Sequence, residues 1–361
     1  MRGSEKLALL ATKPNTEDQN MKKPFYLTPT KNGRLSDISQ DQIDRFIAEA
    51  SAKRKYQFES TQTIKNVLIE LGLIENNRLL HAALMLFGKK PQRFCPAAVV
   101  KCSHYHSTAI TRPIPSHQVF GNNLFEQTDT AVDFVLSRLD RTIGDREETT
   151  IAQEKLEIPK EAIREIIVNA IVHRDYDSNA SVQIDVFTDR IEVMNPGRLP
   201  DELSVDDLFK KHLSIPVNPF LARPFYLAGY INQLGYGTKN VVDWCRNAGL
   251  PDPKFEQSEN NLRVIIWRNW LTDDRIKSLL LNERQVNTIQ YLKTNLRISN
   301  TEYQKLNNVS RATAKRDLEE LVKLGLIKRQ GAGRSAHYRF VGNRLKNGSN
   351  GSQNHNAENG S

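Results

Sequence analysis

The chain has 361 residues, 39% of them hydrophobic and 26% charged, which suits about two soluble domains with sizeable cores. No apolar run approaches the ~18 residues of a membrane-spanning helix, and Leu-Ala-Leu-Leu-Ala near the start is too short for a secretory signal. The formal net charge is +9 and most of it is local: 282–341 hold twelve Lys/Arg against five Asp/Glu, a net of +7, which points to a polyanion such as nucleic acid.

Three cysteines, Cys95, Cys102 and Cys245, form no CxxC pair, and an odd number builds no disulfide framework. A reducing, cytoplasmic setting is expected. Residues 1–36 are polar and proline-bearing and read as mostly loop, with one short strand at 24–29. Residues 37–90 read as helical. An amphipathic helix at 37–55 opens with Ser39 and Gln42 at capping-box spacing, and two further runs within 61–87 stop at Gly72 and Gly88. Residues 97–106 read as a buried strand. Cys102, His104 and His106 project from one of its faces, but no second Cys/His cluster nearby completes a metal shell, so packing is the preferred reading.

Gly121-Asn122-Asn123 precedes a helix at 124–139, and Pro159 introduces another at 161–174. Residues 181–187 and 190–195 alternate around Thr188-Asp189, a hairpin signal that ends in the turn Asn195-Pro196-Gly197. A short helix is expected at 203–213, and then a helix with Asn218 as N-cap and Pro219 in its first turn. Gly235-Tyr236-Gly237 leads into a helix at 238–248, and 263–267 read as a final central strand. Helices alternating with strands around a hairpin indicate an α/β layer structure.

Residues 278–341 read as a separate module: helices at 282–295 and 301–306, a third helix capped by Ser310, and a hairpin with a Gly331-Ala332-Gly333 tip. Three helices and a β wing make a winged helix-turn-helix, whose third helix lies in the DNA major groove. Arg311, Thr313, Lys315 and Arg316 sit where base edges are reached, and Arg329, Arg334 and His337 flank the wing and suit phosphates. A basic face that touches nothing, or a dimerisation module, is the bland alternative. Residues 342–361, rich in Asn, Gly and Ser, read as a disordered tail.

The helix at 161–174 carries the candidate chemistry. Ile163, Ile166, Ile167, Ala170 and Ile171 form its buried face, while Glu161, Glu165, Asn169 and His173 recur at steps of four. Such a ridge can hold a hydrated metal and a phosphate, or it can simply face water. His173-Arg174-Asp175 matches the kinase H-R-D, but position 180 is Ala where Asn is required, and neither a D-F-G nor a V-A-I-K accompanies it. No G-x-x-x-x-G-K-[ST] is present, so a P-loop ATPase is rejected as well. His173 reads as a structural His⁺ at the helix end, favoured by the dipole, and Asp175 and Tyr176 read as structural.

Glu165-x-x-x-Asn169-Ala170 resembles the N-box of the GHKL (Bergerat-fold) ATPases. Taken in order, 161–176, Asn195-Pro196-Gly197, Asn218-Pro219 and 235–238 are similar to one bacterial and archaeal family. Its members are called transcriptional regulators or "RecG-like helicase C-terminal" ATP-binding proteins. The resemblance runs from about 75 to 270, and the winged helix fits it. Members commonly begin with a Schlafen-AlbA-type domain, of which only a remnant is expected here. The resemblance implies a Bergerat-type two-layer α+β sandwich at 91–271, with ATP and Mg²⁺ as cofactors. Asn169 would coordinate Mg²⁺ bridging the phosphates, and Glu165 would orient or deprotonate the attacking water. Asn195 and Gly197 would take the place of the D-x-G-x-G box, with Asn where Asp is expected to meet adenine. Gly235, Gly237 and Thr238 would form the loop over the phosphates, and Lys239 either adds a phosphate contact or faces water. The expected protein is a DNA-binding transcriptional regulator whose partners are DNA, an adenine nucleotide and a second copy of the chain, with no membrane. The alternative is an active ATP hydrolase, helicase-like or defence-related, whose winged helix binds protein.

Overall fold

The computed structural model describes residues 23–60, 63–110, 112–143, 154–232, 235–268, 276, 279–295, 297–324, 326–331 and 336–340. The expected tail at 342–361, most of the loop at 1–36, the wing tip beyond Gly331, and Arg334 lie outside those residues.

In the N-terminal region, α1 (Gln40–Arg54), α2 (Ile64–Glu70) and α3 (His81–Phe87) accompany a hairpin of β1 (Ile74–Glu75) and β2 (Arg78–Leu79). Ser39 caps α1 by accepting from Gln42 N at 3.4 Å. Helix α2 ends at Glu70 and Gly72 stops it as expected, with φ +72° and Leu73 N donating back to the Leu68 carbonyl at 2.8 Å; Asn76 and Asn77, at positive φ (48° and 60°), then close a two-residue hairpin loop. Gly88 ends α3 without a left-handed turn. It is extended at φ −70°, and a Cβ there would meet the Leu84 carbonyl at 2.3 Å.

The centre is a six-stranded sheet of β3 (Val100–His104), β4 (Ser116–Phe120), β7 (Val182–Val186), β8 (Arg190–Pro196), β9 (Lys254–Gln257) and β10 (Asn261–Trp267). Their order is β4-β3-β7-β8-β10-β9, with only β3 and β7 parallel. A separate ribbon pairs β5 (Arg141–Ile143) with β6 (Glu154–Leu156). Buried Val182, Ile184 and Val186 alternate with more exposed neighbours, as do buried Ile191, Val193 and Asn195, so each strand buries one face of its pleat. Helices α4 (Leu124–Leu136), α5 (Lys160–Val172) and α7 (Gly237–Asn247) pack together around this sheet, and α6 (Pro219–Leu227) precedes α7. The mixed α/β class is as expected. The final strand β10 is interior, as expected; the strand the sequence reading missed is β9 outside it, a short edge strand whose Lys254–Glu256 ion pair at 2.6 Å gives the edge a charged character. The helix expected at 203–213 is one 3₁₀ turn, Val205–Phe209. The N-terminal helices and the sheet share one continuous core, which runs from Tyr26 and Phe46 to Ile184 and Ile266.

The C-terminal unit comprises α8 (Glu283–Thr294), β11 (Ile298–Ser299), α9 (Asn300–Asn307), α10 (Arg311–Lys323), β12 (Ile327–Gln330) and β13 (His337–Phe340). Its strands form a sheet in the order β11-β13-β12, and β11 carries no period that reveals it in the sequence. Ile289, Tyr303, Leu318 and Leu321 belong to a second core of its own. Asp317, 1% exposed, ties the three helices together: Arg284 of α8 donates to it at 2.8 Å and the Tyr303 hydroxyl of α9 at 3.0 Å. Burial alone would raise this carboxyl; the guanidinium and the hydroxyl outweigh it and hold the pKa below the ordinary value. Among the described residues, no helix is long and apolar enough to cross a membrane.

Candidate functional site

Helix α5 begins behind Pro159, which is pre-set in φ at −56°, and it buries Ala162, Ile163, Ile166, Ile167 and Ile171 against the core. Its polar ridge divides. Glu161 is exposed, whereas Glu165, Asn169 and His173 line a cavity of about 1050 Å³, counted out to its open mouth. Val193, Leu203, Leu208, Phe255, Leu262 and Val264 supply much of its apolar wall. A mostly apolar cavity with a few converging polar groups is the usual form of a small-molecule site.

The acid and amide of α5 are joined: Asn169 Nδ2 donates to Glu165 Oε1 at 3.1 Å. The other amide atom, Oδ1, is thereby the one left to serve as an oxygen ligand. Burial raises the Glu165 carboxyl, against the lowering influence of the Asn169 amide and the Arg164 guanidinium. Gly237, the first residue of α7, lies against this pair; a Cβ there would come within 2.0 Å of Glu165 Oε1. Glycine thus brings the positive end of α7 onto the carboxylate. Gly235 has φ +67°, and a Cβ would meet the His212 carbonyl at 1.9 Å. Position 235 therefore excludes side chains on two independent grounds, conformation and space.

His212 had no signal in the sequence, since it stands alone in an aperiodic loop. Its Nδ1 lies 2.8 Å from the Leu213 carbonyl, which can only accept, so Nδ1 carries the proton. Nε2 lies 3.0 Å from the Thr238 hydroxyl, within hydrogen-bond distance. The loop through His212, Ser214 and Val217 is thereby tied across the cavity to the start of α7.

Asn195 is buried at the end of β8, and the amide orientation that satisfies it donates from nitrogen to the Ala170 carbonyl at 3.1 Å. The Asn195-Pro196-Gly197 turn docks on the end of α5: Asp175 N donates to the Pro196 carbonyl at 2.6 Å, and a Cβ on Gly197 would lie 3.2 Å from the His173 carbonyl. The His-Arg-Asp-Tyr run therefore has structural work. Arg174 is buried and donates to the Ser178 and Ala180 carbonyls, and the Tyr176 hydroxyl donates to the Ile171 carbonyl at 2.8 Å.

Two expectations are corrected. His173 is not a cation at a helix end: burial pushes its pKa down to about 4, and its Nδ1 accepts from Val217 N at 3.4 Å. Desolvation outweighs the helix dipole there. Asn218 occupies the N-cap position of α6 without capping it; its amide donates instead to the Val172 and Arg174 carbonyls at 2.8 and 2.7 Å and clamps the end of α5. Lys239 is not among the cavity's lining residues; its ammonium pairs with Asp243 one turn along α7. No cluster of three or more His, Cys, Asp or Glu suited to a metal occurs among the described residues. The His104 and His106 rings pack edge-on at 4.8 Å, and the Cys102 thiol is buried, its pKa pushed up to about 12.

In the C-terminal unit, Ser310 caps α10 by accepting from Thr313 N at 3.3 Å. Arg311, Lys315 and Arg316 are exposed, Thr313 is half-buried, and Lys315 lies 3.7 Å from Glu319. On the hairpin, Arg329 is exposed and opposite Tyr338, while His337 is half-buried and opposite Gln330. Sequence reasoning passed over Lys328 and Arg339, which face each other across the two strands, both exposed. Each lies one residue from a buried position, Ile327 or Tyr338, and so on the opposite face of the pleat, a pattern that would have found them.

Comparison with known proteins gives two segment matches. Residues 179–266 match the family model described as "Putative ATP-dependent DNA helicase recG C-terminal". The match begins after α5, so Glu165 and Asn169 lie outside it. Residues 297–341 match the model for "Transcriptional regulator DIP2311-like, C-terminal domain". A search of curated proteins finds no match. The fold is similar to the crystal structure of the DIP2311 protein from Corynebacterium diphtheriae, with a TM-score of 0.53 and 15% identity, over 90% of this chain and 66% of that one. The chain thus shares its mixed α/β fold with DIP2311, spans just under two thirds of that protein's length, and carries two segments similar to two described families.

Proposed function

We propose that the chain is a DNA-binding transcriptional regulator in which a GHKL-type nucleotide-binding domain (91–271) is coupled to a C-terminal winged helix (278–341). One observation carries the first half: Gly237 sets the N-terminus of α7 against Glu165 and Asn169 inside a mostly apolar cavity. The apolar wall suits a planar base, and the start of α7, with Gly235 before it, suits phosphate oxygens. The donor set suits Mg²⁺, which favours oxygen and takes few protein ligands beside substrate phosphates. Asn169 Oδ1 would hold the ion, which when bound neutralises phosphate charge. Asn195 stands where adenine would be met, Thr238 would contact phosphate once released by His212, and Lys239 would need to leave Asp243 to take part. Support for a nucleotide also comes from the ATP-dependent helicase family matched at 179–266.

Titration calorimetry with ATP and Mg²⁺ tests this half. Micromolar-class binding abolished by Asn169→Ala is the expected result, and heat signals that are null, or indifferent to that substitution, sink it. For the second half, Arg311→Ala, Lys315→Ala and Arg316→Ala together should weaken DNA binding and reduce its salt slope, because three cations leave the helix that faces the polyanion. An unchanged slope would remove α10 from the DNA interface. Support for this half comes from the exposure of these three cations and from the regulator family matched at 297–341.

The second reading, an ATP hydrolase, draws on Glu165. Its pKa, raised by burial, suits a base that takes the proton from a water attacking the terminal phosphorus while the nucleoside diphosphate leaves. Phosphate release that disappears in Glu165→Ala, with nucleotide affinity retained, would favour it.

A further inference from the structure

The geometry points to Arg54, at the end of α1, as a positioning residue for the nucleotide pocket: it fixes the chain that enters the glycine loop. This rests on the nucleotide reading above, and the pocket wall it concerns is the run from Tyr226 to Asn232.

That run leaves α6 at Leu227, turns at Gly229 (φ +72°), and delivers Ile231 and Asn232 to the cavity three residues before Gly235. Helix α1 grips it from outside. Arg54 Nε donates to the Tyr226 carbonyl at 3.0 Å, and its Nη2 donates to the Ile231 carbonyl at 2.7 Å and to Asn232 Oδ1 at 2.8 Å. The guanidinium also lies 4.4 Å from the Tyr226 ring centroid. Lys53 Nζ donates to the Ala228 carbonyl at 3.0 Å, and its stem fills the space of a Cβ on Gly229, 2.4 Å away.

The chemistry suits the task. The planar guanidinium fork can hold two sides of a turn at once, which a single ammonium cannot. Cations at the carbonyl end of α6 are favoured by its dipole. The downstream side of the loop is fixed by the approach of Gly237 to Glu165, and Arg54 supplies the matching restraint upstream. Helix α1 lies outside the matched segment 179–266, so one wall of the pocket is held from behind by a residue that the family match does not include.

The test uses the full chain and three variants. Arg54→Ala should weaken ATP–Mg²⁺ binding on the order of tenfold, equivalent to about 1.4 kcal/mol of coupling. Arg54→Lys, which keeps the charge and loses the fork, should fall between. Ser39→Ala removes the cap at the far end of α1 and should lower the melting temperature while leaving nucleotide affinity unchanged. Hydrogen exchange without nucleotide gives an independent reading: amides of 226–232 and 235–238 should exchange faster in Arg54→Ala and not in Ser39→Ala. Equal affinities for wild type and Arg54→Ala, or equal losses in Arg54→Ala and Ser39→Ala, overturn the proposal. Wild type that binds no nucleotide, yet loosens locally in Arg54→Ala, refutes the nucleotide reading and leaves the anchor standing. Unchanged exchange at 226–238 refutes the anchor itself.

Discussion

The cavity beside α5 and the outer face of α10 treat polar groups in opposite ways. In the cavity, Glu165, Asn169, His212, Thr238 and Asn195 are each bonded to another protein group, and desolvation shifts Glu165 and His173. On α10, Arg311 and Arg316 stand exposed with the helix cap behind them, and Lys315 lies 3.7 Å from Glu319. Enclosed and prearranged groups favour a small ligand whose every atom can be met. Exposed cations favour an extended polyanion, which is attracted at long range and releases counterions. The contrast teaches that the +7 of the C-terminal segment and the polar groups of α5 belong to separate regions, each with its own core.

The strongest way to break this separation is at Asp317. Replacing it with Ala removes the acceptor shared by Arg284 and Tyr303 and should cost the C-terminal unit roughly 2–3 kcal/mol, chiefly because the buried Tyr303 hydroxyl loses its acceptor. All three tryptophans, Trp244, Trp267 and Trp270, precede 271, so tryptophan fluorescence reports the first region and exchange of α8–α10 amides reports the second. The unit's amides should open while the tryptophan transition stays. A joint shift of both would show one cooperative molecule.

Acid separates the two regions next. His173 is lowered from 6.5 to about 4, so the unfolded chain takes up a proton in that window and the folded one does not. Its contribution is fully present above pH 6.5 and is lost as pH falls to about 4, roughly 2–3 kcal/mol after allowance for solvent in the cavity. Glu165, raised by burial, acts with the opposite sign, so the difference between wild type and His173→Gln isolates the effect. Asp317 is depressed, and its contribution is lost only as pH falls below 3.8. Urea titrations by tryptophan fluorescence from pH 7 to 4 should converge for wild type and His173→Gln; parallel curves would remove the buried neutral histidine.

The smallest effect lies on the hairpin. Lys328 and Arg339 oppose each other with like charge, which costs about 0.2–1 kcal/mol unless an anion lies over them. Replacing both with Gln should slightly raise the melting temperature of the free protein and lower the DNA salt slope by about 2. A lower melting temperature with no change in slope would make this pair structural.

Much of this was legible because it depends on short-range pattern. The 3.6-residue period of α5, the two-residue period of β7 and β8, the Ser39 and Ser310 caps and the Gly235–Gly237 pair are local consequences of side-chain shape and backbone freedom. The sequence by itself also placed the basic surplus in 282–341 and singled out Glu165 and Asn169, which do meet. Only the tertiary structure decided the rest. His212, Arg54 and Asn218 act across gaps of 26, 177 and 46 residues, and nothing in their own neighbourhoods signals a partner that far away. It also decided that His173 is neutral, since its charge state depends on how much protein closes around the imidazole. A helix period fixes which face a residue occupies; desolvation by the rest of the chain fixes what that residue can do there.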